Sequence, residues 1–580
     1  MRSALESALP RFDRHFFTSE RSISRIGDGE YGGKANGLLF ARGVLDGLAA
    51  SWDPSIEVTV PRMAVLATSM FDAFMARNAG LWDLSLSQAP DDRIAHAFQR
   101  ADLPVEMLGD LKALMDGAHA PLAIRSSSLL EDALYQPFAG VYRTKMIPNN
   151  QPERDARLRR LLEAVKFVYA STFFAAAKSY VRATDRTTAD EKMAVIVQEI
   201  VGRRHGDRYY PDLSAVARSF NFYPCGPARA DEGVVSLALG LGKTIVDGGI
   251  AWSYSPAHPR VPPPYSVAEL LRNTQTSFWA VNMGRPPEYN PIVETEYLVE
   301  ATLRDAEGDG SLALLASTYE AAADRLIPGI AAPGPRVLDF APLLVDDALP
   351  LNAAVRALLD ACEKALGGPV EVELAVTLDA AARRARLGFL QVRPMVVSDE
   401  LVEIGDDELA APNLLLASRA VMGNGLDESI ADVVYVKPEA FEARATRTIG
   451  QEIAERNTAL LEEGRPYALI GFGRWGSSDA WLGIPVQWGQ ICGARVIVEA
   501  TLPTMNPEAS QGAHFFHNIS SFAVPYLTVP HEATPGIDWA WLNAQDAVAE
   551  SDYVRHVRLA QPLLVKVDGR NRRGGVWRAP

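Results

Sequence analysis

The stretch Pro121–Gly140, PLAIRSSSLLEDALYQPFAG, decides how the rest of the chain is read. Leu122, Ala123 and Ile124 form an apolar run that stops at Arg125. Ser126, Ser127 and Ser128 follow, then the acidic pair Glu131–Asp132 and a Phe138–Ala139–Gly140 turn. Apolar residues giving way to a cation and hydroxyls predict a buried strand that empties into a polar loop. Such a loop offers hydroxyls, backbone N–H groups and a guanidinium to an anion such as phosphate. In that reading Ser126 to Ser128 cover the anion and Phe138–Ala139–Gly140 is the hinge. The plainer reading is a surface loop whose Arg125 sits in an ion pair.

Upstream, Gly32–Gly33–Lys34 opens a stretch with Leu38, Leu39, Ala41, Val44, Leu45 and Leu48 at helical spacing. A glycine pair starting a helix beside a lysine suits phosphate, because the first helical amides point outward, yet the spacing is not that of a Walker A loop. Residues 58–75 read as a strand running into a helix, 80–120 and 152–183 as helical, and 141–147 and 192–202 as strands. Residues 213–224 and 233–249 have strand character, with a glycine turn at Gly240–Leu241–Gly242. Val370–Leu378 and Leu387–Met395 predict a hairpin. Its alternation puts Glu371 and Glu373 on one face and Gln391 with Arg393 on one face of the second strand. Hard oxygen ligands there suit Mg2+, with the arginine holding a phosphate that shares the metal. A cross-strand Glu–Arg salt bridge is the alternative.

The acidic run SDELVEIGDDELAAP reads as a linker over 397–411, and a smaller α/β domain is expected over 412–580, with a helix around 444–463. In that domain GFGRWGSSD places Arg474 among glycines and serines, a setting for an anionic acceptor. His514 and His517 in SQGAHFFHN would share one side of a helix, as phosphoryl-accepting imidazoles or as core residues beside Phe515 and Phe516.

A chain of 580 residues exceeds one core and implies several domains. Its net charge of −15 argues against a nucleic-acid partner. Cys225, Cys362 and Cys492 stand far apart, which suits a reducing compartment. With no secretory-type leader and no long apolar run, the expectation is a cytoplasmic protein without a membrane partner.

Five segments, in order, resemble the nucleotide-binding half of the pyruvate phosphate dikinase and phosphoenolpyruvate synthase family: GGKAN (Gly32–Asn36), IRSSSLLEDALYQPFAG (Ile124–Gly140), MAVIVQEIV (Met193–Val201), GLGKTIVDGG (Gly240–Gly249), and VEVELAV with LQVRP. The resemblance implies an α+β, ATP-grasp-like region of several subdomains over 1–396 (roughly 25–115, 116–250 and 251–396). It implies Lys34, Arg125 and Arg393 on ATP phosphates, Arg125 and Arg393 among the catalytic groups, and Glu373 and Gln391 on Mg2+. Gln198, Gly240 and Gly242 fall on the nucleotide side. Three departures stand out: Arg218 interrupts the family's Ser-Gly-Val-Met-Phe-Ser element, Lys243 replaces a glutamate, and Glu371 an aspartate.

No Thr-Ser-His loop occurs, and residues 412–580 are too few for both a swivelling domain and a pyruvate barrel. The expected function is therefore an ATP- and Mg2+-dependent phosphotransferase on an unidentified small-molecule or protein acceptor, possible catalytic histidines being His514 and His517. A non-catalytic nucleotide-binding regulator is the alternative, and phosphoenolpyruvate formation a third, disfavoured reading. The oligomeric state stays open, a homodimer among the options.

Overall fold

The structure is a computed structural model. It describes residues 9–19, 21–129, 140–182, 191–262, 266–397, 402–477, 479–507 and 514–579, so Glu131, Asp132, Phe138 and Ala139 lie outside the described residues. The chain forms two compact units. The first comprises Met1–Phe220, Cys225–Ile245 and Ile250–Pro394, and the second Asn221–Pro224, Val246–Gly249 and Met395–Pro580.

Two sheets frame the first unit. One orders its strands Ile23–Ile26, Met63–Leu66, Met193–Glu199, Leu122–Ser128 and Thr144–Ile147. The other runs Trp252–Tyr254, Val234–Leu239, Leu213–Arg218, Val370–Asp379, Arg384–Pro394 and Ile56–Thr59. Residues 58–75, expected as one strand and a helix, do carry the helix Thr68–Arg77, but the strand part is divided between the edge of the second sheet (Ile56–Thr59) and an inner strand of the first (Met63–Leu66). Pro61, which cannot donate to a ladder, lies in the crossing between them. The helix Gly32–Leu48 buries Ala35, Leu38, Ala41 and Leu45, the helical stripe visible in the sequence, and packs on strands of both sheets.

The serines after Arg125 correct the loop expectation. The strand runs on to Ser128, pairing Ser126 with Val195, Ser127 with Ala194 and Ser128 with Met193, and all three serines are fully buried. Hydroxyls tolerate burial when each finds a partner, so three serines do not mark a strand's end. The single helix expected over 152–183 is two, Arg154–Ser171 and Ala175–Arg182. The break buries Phe173 and Phe174, and the Asp91 carboxylate accepts the Ala175 amide at 2.7 Å, capping the second helix from another element.

The second unit is built on a nine-stranded sheet. Asn424–Val436, Tyr467–Phe472, Ala494–Ala500 and Tyr526–Val529 are successive parallel neighbours, flanked by antiparallel strands that include Val554–Asp568 and Arg573–Trp577. The helix Thr446–Glu462 buries Ile449, Ile453 and Leu460. The acidic stretch read as a linker belongs to this fold from residue 402 onward: Ile404 and Leu409 pack with Leu414 and Trp577, and Lys566 pairs with Glu408. Its charge pattern concealed two apolar anchors. Among the described residues no helix is long and apolar enough to cross a membrane.

Asp432 organises the middle of this sheet. Its carboxylate, fully buried, accepts from His556 Nε2 at 2.8 Å, Arg558 Nε at 2.8 Å and Arg465 Nε at 2.7 Å. Burial pushes its pKa up, but these three donors outweigh burial and hold it at about 2, against an ordinary 3.8. A carboxylate depressed in the folded state stabilises above its unfolded pKa, and the contribution is lost as pH falls through the folded value. Thermal melts should therefore lose about 2 kcal/mol of stability between roughly pH 4 and pH 2 from this group. Asp432→Asn should lower the melting temperature at pH 7 and flatten that part of the acid profile.

Candidate nucleotide and metal site

The helix Gly32–Leu48 is held at its first turn by the Leu122–Ser128 strand. Ser127 Oγ accepts the Ala35 amide at 3.0 Å and donates to the Tyr31 carbonyl at 2.8 Å. Gly32 has φ +77°, and a Cβ there would lie 1.8 Å from the Ser127 carbonyl oxygen, so only glycine lets the two backbones meet. One amide at the helix start is thus taken by Ser127. Lys34 Nζ donates to Ser126 Oγ at 3.2 Å, which holds the ammonium beside the strand.

One strand position away, Arg125 reaches across to the hairpin of the second sheet. Its Nη1 donates to Gln198 Oε1 at 3.1 Å and to the Leu390 carbonyl at 2.7 Å. Its Nη2 donates to Gln391 Oε1 at 2.9 Å and lies 3.8 Å from Glu373 Oε2. The Leu390 carbonyl is available because the hairpin is irregular there: Glu373 opposes Gln391 but Leu374 opposes Phe389, leaving Leu390 as the extra residue of a bulge. Gln198, almost wholly buried on the neighbouring strand, supports Arg125.

Next along the hairpin, Glu371 is opposite Arg393 on one side and Arg218 on the other. Arg393 Nε donates to Glu371 Oε1 at 2.7 Å and Arg218 Nε to Oε2 at 2.5 Å, all three side chains being buried. Burial pulls the Arg218 guanidinium below the ordinary arginine value; Glu371 opposes that shift and Arg393 adds to it. The cross-strand salt bridge weighed for this face therefore exists at Glu371, as a buried Arg–Glu–Arg triad, while Glu373 and Gln391 face Arg125.

The glycine turn lies elsewhere. Gly240 has φ +80°, its carbonyl accepts from Ser214 Oγ at 2.7 Å, and a Cβ would meet Phe278 at 2.7 Å. Leu239 pairs with Leu213 while Arg218 pairs with Val234, so Gly240 and Gly242 sit at the opposite end of that strand from the triad, about 17 Å along it. The structure thus brings together Arg125, Gln198, Glu373 and Gln391, holds Arg393 two positions along the hairpin in the separate Glu371 triad, sets Lys34 at the adjacent serine, and keeps the glycine turn apart. His514 and His517 fall in the helix His514–Ser521, and their side chains lie outside the described residues.

The family model described as "Pyruvate phosphate dikinase, AMP/ATP-binding domain" matches residues 29–408. The chain belongs to this family. No curated protein matches it. The dikinase-type domain has an ATP-grasp-like α+β fold, and here the match takes in the second framing sheet with the charged hairpin and all of the first except its edge strand Ile23–Ile26. Within that domain three features escaped the linear sequence: the Leu390 bulge, the burial of the serines, and the partner of Arg218. Cross-strand register could have suggested only the last.

The donor set fits Mg2+. Among the described residues no group of three or more His, Cys, Asp or Glu could hold a metal ion. Magnesium, however, commonly takes one or two protein oxygens and shares the rest with phosphates and water, and Glu373 with Gln391 supplies such a pair. Gly32→Ala should lower the melting temperature by the equivalent of more than ~1 kcal/mol and weaken nucleotide binding, measured by scanning fluorimetry and ATP titration on one preparation.

Proposed function

We propose that the chain is an ATP- and Mg2+-dependent phosphotransferase, in which Arg125 and Lys34 hold nucleotide phosphates while Glu373 and Gln391 hold the metal. The observation that supports this most directly is the convergence of Arg125 with Gln198, Glu373 and Gln391 from strands of two different sheets. Phosphoryl transfer asks a protein mainly to position its reactants and to neutralise dispersed negative charge. Arg125, Arg393, Arg218 and Lys34 carry more positive charge than Glu371 and Glu373 remove. Mg2+ held by Glu373 and Gln391 would add positive charge against the phosphates.

In this reading Arg125 would exchange its bond to Gln391 Oε1 for phosphate oxygens, leaving that oxygen open as a ligand. Gln198 and the Leu390 carbonyl keep the guanidinium aimed during the exchange. Arg393, tied to Glu371, is the second phosphate contact. The acceptor is a small molecule or a protein group, a histidine such as His514 or His517 among the latter.

Incubation with β- or γ-labelled ATP and Mg2+, with and without a metabolite extract, tests the reading. Turnover should be metal-dependent and fall ~10- to 1000-fold in Arg125→Ala. Glu373→Gln should raise the Mg2+ concentration needed for half-maximal rate. Acid-labile, base-stable label on the protein that disappears in His514→Ala or His517→Ala would identify a phosphohistidine. ATP binding with no turnover under any of these conditions would overturn the phosphotransferase reading in favour of a nucleotide-controlled regulator.

A further inference from the structure

The parallel strands Tyr467–Phe472 and Ala494–Ala500 end side by side in the second unit, with Gly471 opposite Glu499. In sheets of this kind ligands gather beyond the carboxyl ends of the parallel strands. At that edge the chain leaves Phe472, turns at Gly473 with φ +72° and presents Arg474 and, three residues on, Ser477. These two side chains, with Glu499, Tyr526, Phe515 and the backbone of Gly248, line a pocket whose enclosed room is about 10 Å³, within a hollow of about 290 Å³ counted to its open side. Gly248 belongs to the same unit, through the stretch Val246–Gly249.

The polar groups converging here are unusual for so buried a place. Arg474 is 8% exposed and Glu499 3% exposed. Arg474 Nη1 donates to the Gly248 carbonyl at 3.2 Å, which orients the fork, and the Tyr526 hydroxyl donates to Glu499 Oε2. Burial pushes the Glu499 carboxyl up, against the Tyr526 hydrogen bond and the Arg474 charge. A buried cation and carboxyl that together line a space for one water form a costly arrangement for an apolar wall, and polar groups of that kind are characteristic of ligand sites. Trp475, whose indole donates to the Val498 carbonyl at 3.1 Å, and Phe515 fix the walls.

We propose that this pocket is an oxyanion site: one oxygen of a carboxylate or phosphate head group takes the water-sized space, with Arg474 as its charge partner and the Ser477 hydroxyl as its hydrogen-bonding neighbour, while Glu499 is held back by the Tyr526 hydroxyl. A single oxygen matches the enclosed room, and the remainder of the ligand occupies the open hollow. The ligand class is a small organic acid or a phosphate monoester. The site is built entirely from residues of the second unit and does not rest on phosphoryl transfer.

The test uses the full-length chain carrying Lys34→Met and Arg125→Ala, so that phosphate bound by those residues is removed from the reading. Inorganic phosphate and glycolate are titrated separately by calorimetry, with tryptophan fluorescence as a second readout. One saturable equivalent is expected for at least one probe, and which probe binds tells phosphate from carboxylate. Adding Arg474→Met should weaken that binding at least tenfold, Arg474→Lys should weaken it by less, and Glu499→Gln, which cannot carry negative charge beside the anion, should not weaken it by more than about threefold. If Arg474→Met does not fold, the lysine and glutamine variants decide alone. Saturable binding that Arg474 substitutions leave unchanged, or no saturable binding of either probe, would overturn the proposal. Neither result would bear on ATP turnover by the unsubstituted protein.

Discussion

The Arg125 guanidinium is the contact on which the nucleotide region depends. It rises from one sheet and bonds to Gln198 on its own sheet, then to the Leu390 carbonyl and Gln391 on the hairpin of the other. A planar fork with several donors in fixed directions can span three acceptors, which a lysine ammonium on a flexible stem does not reproduce. The same residue therefore joins two sheets and is, in the proposed function, a phosphate contact. Its aim depends on a backbone irregularity, because without the bulge the Leu390 carbonyl would belong to the ladder.

Beside it, the Arg218–Glu371–Arg393 triad shows how the second sheet tolerates charge in its interior. Burying ions costs several kcal/mol each, and their mutual attraction offsets this only when geometry and hydrogen bonding are good, as on Glu371, where both oxygens are engaged. Removing one partner from such a triad strands the others, so Arg218 is bound up with Arg393 and cannot be treated as an incidental substitution in the family's strand. Asp432 in the second unit follows the same logic, with two arginines and a histidine around one carboxylate. In both units a central strand carries an acid: Glu371 takes its partners from the two neighbouring strands, and Asp432 takes His556 and Arg558 from one neighbouring strand and Arg465 from the connection leading into the other.

Much of the architecture was legible in advance, for local reasons. Leu38, Ala41 and Leu45 mark the helix because 3.6-residue spacing needs no tertiary information, and period-two alternation placed Glu371 and Glu373 opposite Arg393 and Gln391. The serines after Arg125 misled because hydroxyls read as loop residues until their partners are known. Ser127 finds its partners at Tyr31 and Ala35, nearly a hundred residues upstream, and no local pattern encodes that pairing. The glycine turn at Gly240 matched a nucleotide element in sequence, yet its conformation answers to Ser214 and Phe278 around it.

From the chain alone came the identity of the cationic and acidic side chains, their order, and the strand or helix that carries most of them, since these follow from residue chemistry and short-range periodicity. Tertiary structure decided which of them meet. Strand order put Arg218 beside Glu371, a one-residue bulge turned Leu390 toward Arg125, and packing against Ser127 demanded glycine at position 32. Each is a contact between residues distant in sequence, set by the register and twist of sheets that form only when the whole unit does. Leu122–Ser128 is therefore a buried strand whose one long cation, Arg125, reaches the neighbouring sheet.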